Sequence, residues 1–495
     1  MATITNIADM LDAPAATDPQ RPALIFDDAD RAIVCSFGLL QAETDRWAAT
    51  LSALGVGQGD RIALVDWGGV RGTAVTFAAA HLGAATAQMN PLLTAPELAQ
   101  LVEVSGSRHV GVANRDAHGA LAEAFGAGGT VLELVGPSAR PPERSPGDDA
   151  DALVLFTSGT TGVPKPVPIS HRAIVDRIEA YRPQFDPARP PNVTTMCVPS
   201  FHVGGMLGLL LSLYAGDTTV IQPRFDAGRW LAAVQHHGVT SAFVVPTMLA
   251  RILDHPDLPT TDLSSLRSIS YGAAAAPHAL IERAMEQWPE VGFANVFGQT
   301  ETLGAYAALS PDEHRDPRLV GSVGQPMPGV DVRVVDPATA EDVAPGHVGE
   351  LWVRASQTVG EGWLQTGDLV HRDARGYLFP SGRQSDVINR GGEKFSPVEV
   401  ADALRDHPSI ADLVIAGVPD PEMGERVGVA IVVRPGAAAP TKGELRAWCR
   451  GRIAPFKAPE VLAVVDALPY NELGKLPRRA AVELIVSAGD AEEST

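Results

Sequence analysis

Thr157-Ser158-Gly159-Thr160-Thr161-Gly162-Val163-Pro164-Lys165 stands directly after the apolar run Leu153–Phe156. Hydroxyls, glycines and one lysine are crowded into nine residues. Glycines let backbone amides approach an anion closely, the hydroxyls add donors, and Lys165 adds positive charge, so the stretch reads as a cradle for a polyphosphate. It does not end in Gly-Lys-Ser/Thr, so it is not a Walker A loop. A generic Ser/Thr/Gly run is usually a plain flexible loop. The order of these nine residues and their place at a strand end set this one apart.

Outward from that loop, between about residues 150 and 300, short β-branched runs alternate with longer helical stretches, the pattern of a parallel sheet covered by helices. The strand candidates are Leu153–Phe156, Val193–Val198, Thr218–Ile221, Thr240–Val245, Ser268–Ser270 and Phe293–Phe297. Helices are expected over Ser170–Tyr181, with Ser170 capping the first turn, and over Pro277–Trp288, with proline at the first helical position. Toward the N-terminus, Arg61–Asp66 reads as a strand and Val70–His81 as a helix. Beyond about residue 320, short strands at Asp331–Val335 and Gly349–Arg354 separated by Gly/Pro turns suggest a β-rich subdomain. Past Arg383, the segments Pro397–Arg405, Asp412–Val418, Gly428–Val433, Lys442–Arg452 and Val461–Val465 form a small α+β pattern of their own. The expected fold is α/β: residues 1–383 as a large domain of helix-covered sheets plus the β-rich subdomain, and residues 384–495 as a small α+β domain. Arg140–Asp151 reads as an exposed loop, and the end of the chain from Gly489 should fray.

A length of 495 residues exceeds what one hydrophobic core normally supports. The hydrophobic fraction of 45% and mean hydropathy of +0.04 describe an ordinary globular chain. A formal charge of −20 argues against nucleic-acid or anionic-lipid partners, which select basic surfaces. Any anionic substrate must then enter a pocket that is locally basic or lined by amides. Cys35, Cys197 and Cys449 have neither metal-ligand nor redox spacing, which fits a reducing cytoplasm. The first eleven residues lack the features of a signal peptide, and no apolar run is long enough to span a bilayer.

Further motifs follow in order: Pro199-Ser200-Phe201-His202-Val203-Gly204-Gly205, Tyr271-Gly272-Ala273-Ala274, Phe297-Gly298-Gln299-Thr300-Glu301, Trp363-Leu364-Gln365-Thr366-Gly367-Asp368, Gly382-Arg383, Gly391-Gly392-Glu393-Lys394 and Gly474-Lys475. With the loop at 157–165, this ordered set resembles the adenylate-forming superfamily of acyl- and aryl-CoA synthetases, luciferases and peptide-synthetase adenylation domains. The resemblance covers nearly the whole chain. It implies an ATP- and magnesium-dependent enzyme that makes an acyl-AMP from an organic acid and passes the acyl group to coenzyme A.

Residue by residue, the resemblance implies that Thr157, Ser158, Gly159, Thr160, Thr161, Gly162 and Lys165 hold the phosphates. Thr300 would touch a phosphate and Glu301 the metal, since a hard cation seeks carboxylate oxygen. Gly272, Ala273, Ala274, Phe297, Gly298 and Gln299 would flank adenine, with Phe297 where relatives usually have Tyr. Asp368 would grip the ribose hydroxyls and Arg383 would add a guanidinium fork near ribose or phosphate. Lys475 matches the mobile catalytic lysine. His202 matches an aromatic gate or thiol-step residue, and Val203, Gly204, Gly205, Met206 and Val296 would line an apolar acyl pocket. Ser385 matches the hinge, and Gly391, Gly392 and Glu393 would help form the thiol tunnel. The adjacent His236 and His237 carry no role.

Three departures qualify the likeness. Pro166 stands where close relatives usually have Gly and should stiffen the loop's exit. The stretch from Arg354 to Trp363 is shorter than usual, and Ser385 replaces the usual Asp or Lys at the hinge. No arginine stands beside Phe297, which disfavours short diacids; a medium-chain fatty or aromatic monocarboxylic acid is expected. The alternatives are a carrier-protein thiol or an amine as acceptor, a non-carboxylate acid such as nitrite, and a non-catalytic nucleotide-binding relative. The oligomeric state, a homodimer included, is left open.

Overall fold

Runs of Val, Ile, Leu and Ala too apolar for one-sided burial build two largely parallel sheets. The strand Ala85–Met89 is buried at every position and Arg61–Val65 at all but its first, as expected of strands covered on both faces. The computed structural model describes residues 4–28, 31–112, 130–131, 141–147, 149–157, 164–181, 189–360, 362–471 and 475–489. The chain divides into two compact units. One comprises residues 1–318, 326–331 and 354–364, the other 319–325, 332–353 and 365–495.

Among the described residues, the first sheet of the first unit has six strands in the order Thr130–Val131, His109–Val112, Arg61–Val65, Ala85–Met89, Asp151–Thr157, Lys165–Ser170. All neighbours are parallel except the last pair. A second sheet has at its centre six parallel strands: Gly292–Gln299, Ser268–Gly272, Ser241–Val244, Val193–Met196, Thr218–Ile221 and Pro22–Asp28. Antiparallel strands, Gly304–Leu309 and Arg31–Ser36, flank these six. Each sheet thus turns back on itself through a hairpin, 157–165 in one and 299–304 in the other. These two hairpin tips carry candidate site residues.

The strands expected between residues 150 and 300 are found within two residues of their predicted ends, and Val70–His81 is a helix with those bounds. Two expectations change. Lys165–Ser170 is a strand, so the helix starts at His171, with the Ser170 hydroxyl accepting from Ala173 N at 3.2 Å. Pro166 and Pro168 have no N–H to give a ladder, and this strand lies on the sheet edge, where that costs least. The helix read as Pro277–Trp288 spans His278–Gln287, and Pro277 is the residue before it, with extended ψ of 134°.

The described part of the expected loop at 140–151 is tied down. Arg144 bridges Asp9 at 2.6 Å and Asp12 at 2.7 Å, while Asn6 donates to the carbonyls of Ala80 and Ser145. These bonds dock the N-terminal turn Ile7–Leu11 on the core around Phe37, Leu40, Trp47 and Phe77. Elsewhere the fully buried Arg177 donates to the carbonyl of Ala305 and stacks on Tyr181, 4.7 Å from its ring centroid. It joins the helix His171–Tyr181 to the strand Gly304–Leu309.

In the second unit, Asp331–Val335, Gly349–Arg354, Leu364–Arg372 and Leu378–Arg383 form a four-stranded sheet in that order. Residues beyond it build a five-stranded sheet around the long pair Ile410–Asp420 and Gly424–Val433. One face packs against Pro397–Arg405 and Lys442–Cys449, whose first turns are closed by the capping boxes Ser396/Glu399 and Thr441/Glu444. The opposite face is covered by a helix absent from the sequence reading, Arg478–Gly489. Its Ile485 sits over Gly428, where a Cβ would come within 2.8 Å of the Ile485 side chain.

All three cysteines are buried, and burial pushes the Cys35 thiol up to about 11 and the Cys197 thiol up to about 12. Thiolate is the reactive form. A disulfide reagent should therefore leave the native protein unmodified at mildly alkaline pH and label all three thiols after unfolding. Rapid labelling of the native chain would contradict this packing.

Candidate active site

Adjacent strand ends and the two hairpin tips assemble the candidate residues of the first unit. Thr157 and Lys165 are direct partners across the antiparallel pair, so the loop between them leaves and rejoins the sheet at one point. Ser158, Gly159, Thr160, Thr161 and Gly162 lie outside the described residues. The strand Asp151–Thr157 packs beside the turn Thr300–Thr302. Thr157, Lys165, Thr300 and Glu301 therefore cluster on neighbouring segments.

Gly272, Ala273 and Ala274 follow the strand Ser268–Gly272, and Phe297, Gly298 and Gln299 end its parallel neighbour. A Cβ at Gly272 would overlap the carbonyl oxygen of Val296, and one at Gly298 would overlap that of Gly304. Ala273 adopts a left-handed φ of 67°, a costly backbone state for a residue with a Cβ and one that often marks a working site. It is exposed, so its strained peptide faces outward beside the strand end. The Phe297 ring meets Tyr306 edge-on at 5.2 Å, which fixes its plane. Below, Tyr271 OH lies 2.9 Å from His314 Nε2 and bonds to Asn295; desolvation raises the phenol and lowers the imidazole, so both stay neutral near pH 7.

His202 precedes the helix Val203–Ala215, and its ring lies 4.7 Å from Phe201. Gly204 and Gly205 open that helix; a Cβ at Gly205 would strike the carbonyls of Val198 and Pro199, and one at Gly204 would come within 3.0 Å of Phe243. Met206 is buried, Val203 and Val296 partly so. Sequence reading missed what backs Glu301: the shortened segment folds back so that Val359 N donates to the Glu301 carbonyl at 2.8 Å, while Val359 packs on the core. No spacing signal links positions so far apart.

In the second unit, Asp368 and Arg383 are cross-strand partners, with Arg383 Nε donating to Asp368 Oδ1 at 2.7 Å. The carboxylate is 13% exposed and the guanidinium 51%, so the acid is set and its partner can move. Buried Thr366 orients the turn: its hydroxyl donates to Leu351 O at 2.7 Å and accepts from Asp368 N at 3.1 Å. Glu350 accepts from Gly367 N and from Trp352 Nε1. Neither Thr366 nor Glu350 was assigned this supporting role from sequence.

Gly391 and Gly392 have φ of 58° and 93° between Arg390 and its partner Glu393, the two-residue hairpin turn that requires left-handed residues. Lys475 is exposed; its N–H donates to Asn471 Oδ1 and its carbonyl accepts from Asn471 N, both at 2.9 Å. Tyr470 in turn donates to Asp412, whose carboxyl burial holds above its ordinary value. Gly474 lies outside the described residues. Ser385 is exposed within the turn Gln384–Asp386.

Crowding at the strand ends predicts opposite outcomes for neighbouring substitutions. Gly272→Ala should destabilise the fold by about 1–3 kcal/mol through overpacking against Val296, whereas Ala273→Gly, which relieves a left-handed Cβ, should be neutral or slightly stabilising. Urea denaturation of the two variants measures both; equal effects would refute the steric account.

With the geometry established, the comparisons fit it. A family model described as AMP-binding enzyme matches residues 11–364, and one described as AMP-binding enzyme C-terminal domain matches residues 399–475. A fatty acid–[acyl-carrier-protein] ligase, ScoC, of Streptomyces coeruleorubidus is 30% identical over 94% of this chain and 93% of its own. The amide bond synthetase McbA of Marinactinospora thermotolerans is 26% identical, with a TM-score of 0.84 over 97% of this chain and 99% of that one. The o-succinylbenzoate coenzyme A synthetase MenE of Bacillus subtilis, solved with ATP and a magnesium ion, is 27% identical, with a TM-score of 0.81 over 95% and 98%. The two matches together span most of the chain, which establishes that it belongs to the AMP-binding enzyme family of adenylate-forming ligases.

Proposed function

We propose that this enzyme uses ATP to activate a medium-chain fatty or aromatic monocarboxylic acid as its acyl-AMP and then transfers the acyl group to coenzyme A. The observation that carries the reading is the clustering of Thr157, Lys165, Thr300 and Glu301 at two hairpin tips, beside the strand end that presents Gly272–Ala274 and Phe297. The acid's carboxylate oxygen attacks the α-phosphorus of ATP as the bond to pyrophosphate breaks. The thiol sulfur then attacks the acyl carbon, AMP leaves, and the thiol proton passes to solvent. Lys165 and Lys475 offset charge that grows on the phosphate oxygens during the first step. Asp368 accepts from the ribose hydroxyls, and Arg383 steadies it.

Among the described residues no cluster of three metal-binding side chains occurs. That fits magnesium, which binds through one or two carboxylates together with substrate phosphates. Glu301, on a turn beside the strand that ends at Thr157, is the carboxylate that would hold it. When bound, the ion neutralises charge on the polyphosphate.

An apolar acid suits the start of the helix at Val203–Met206, whose four residues carry no charge. Residues 1–383 would bind ATP and acid, with residues 384–495 as a mobile domain turning about Ser385. No helix among the described residues is long and apolar enough to cross a membrane, and with three free buried thiols a cytoplasmic setting suits the chain. The carrier-protein ligase and the amide synthetase among its relatives support a second reading, with the same first step and a different acceptor.

Acid-dependent pyrophosphate release across fatty, aromatic and short acids, with and without coenzyme A, tests both. One favoured monocarboxylic acid should yield AMP, pyrophosphate and a thioester, and Lys475→Ala should slow adenylation about a hundredfold or more. Pyrophosphate release without a thioester would move the acceptor to a carrier protein or amine. Turnover confined to short diacids would overturn the substrate class.

A further inference from the structure

Three segments assigned separate tasks meet at one guanidinium. We propose that Arg478 is a positioning residue that couples the hinge at Ser385 to the Gly391–Gly392 hairpin and to the segment bearing Lys475. The inference rests on the proposed roles of those residues, and it adds a link between them.

Arg478 opens the helix Arg478–Gly489, three residues after Lys475. One arm of its fork donates to the carbonyl of Ser385, and the other donates to Glu425 Oε1. The second oxygen of Glu425 accepts from Asn389 N at 2.8 Å, at the base of the hairpin that turns through Gly391 and Gly392. Glu425 has little freedom to leave: its carboxyl lies against Gly417, where a Cβ would come within 2.7 Å of it. The root of Arg478 is fixed as well, since Ala481 and Ile485 of its helix are buried against the sheet. A planar, permanently charged fork presents two donors at fixed spacing to acceptors on different segments, a geometry that the compact, flexible lysine ammonium matches only in part.

The consequence follows from backbone geometry. Planar peptides leave two soft torsions per residue, so a turn of the chain at 385–386 necessarily re-aims the Ser385 carbonyl. The bond to Arg478 suits one setting of those torsions and is lost in another. Other polar groups at the hinge do not substitute for it: the Ser385 hydroxyl donates to Asp386 at 3.0 Å. Arg479, the next residue, pairs with Glu483 on its own helix. Arg478 thus ties the population of hinge settings to the placement of the Lys475 segment and the thiol-side hairpin.

Hydrogen–deuterium exchange on the full-length protein reads the link without substrates, and the two half-reactions read its effect. Arg478→Ala should speed exchange of the amides at 386–390 with little change in Tm. It should also alter the ratio of acid-dependent pyrophosphate release to acyl transfer from preformed acyl-adenylate by about fivefold or more. Glu425→Gln, which breaks the ion pair and keeps an acceptor, should shift both readouts in the same direction by less, and Arg478→Lys should restore them only partly. Unchanged exchange at 386–390, or an equal fall in both half-reactions, would overturn the coupling. A wild-type enzyme that releases no pyrophosphate with any acid would sink the proposed activity instead, and the exchange data alone would then decide whether Arg478 reports to the hinge.

Discussion

The candidate nucleotide face depends on backbone lying against backbone where no side chain can intrude. At Gly272 and Gly298 a single added methyl group would fall on a neighbouring carbonyl oxygen. Those two positions let the strand Ser268–Gly272 and the hairpin beyond Gly292–Gln299 finish at the same level. The left-handed peptide at Ala273 and the edge-on ring of Phe297 are set by that closeness. A sheet whose parallel strands end together offers ligands a floor of loops at its carboxyl edge. Here each of the two sheets adds an antiparallel return strand that fixes both ends of one such loop.

Several functional residues are held through hydrogen bonds to their own backbone, some local and some from far along the chain. Val359 holds the Glu301 carbonyl, Thr366 joins Leu351 to Asp368, and Asn471 brackets Lys475. Each bond is individually modest, about 0.5–1.5 kcal/mol net. Their value is positional: they fix the backbone that carries each functional group, which reduces what binding must order.

The motifs and most strands were legible because both depend on local pattern. Val70–His81, Asp331–Val335, Gly349–Arg354 and Pro397–Arg405 have the bounds their periodicity implies. The strand Lys165–Ser170 had no counterpart in the sequence reading, because Pro166 and Pro168 leave no strand-like pattern there and only a place at the sheet edge makes them tolerable. Arg478–Gly489 escaped notice because its mostly apolar stretch, Ala480 to Val486, is short, interrupted by Glu483 and β-branched in part, so periodicity does not separate helix from strand. The ties through Arg144, Val359 and Arg478 are long-range pairings, and no window along the chain contains both partners. Of the phosphate loop, the structure adds its two anchored ends; residues 158–163 lie outside what it describes.

The five-stranded sheet near the C-terminus is padded on both faces, with one apolar cluster around Phe395, Leu404 and Leu445 and another around Ala463, Ala481 and Ile485. Such a body is self-contained in the currency that dominates folding, because its oily surface is already out of water whatever stands beside it. Without Arg478–Gly489, the sheet face that carries Ala416, Val418, Ala430 and Ala463 would need some other surface to lie on.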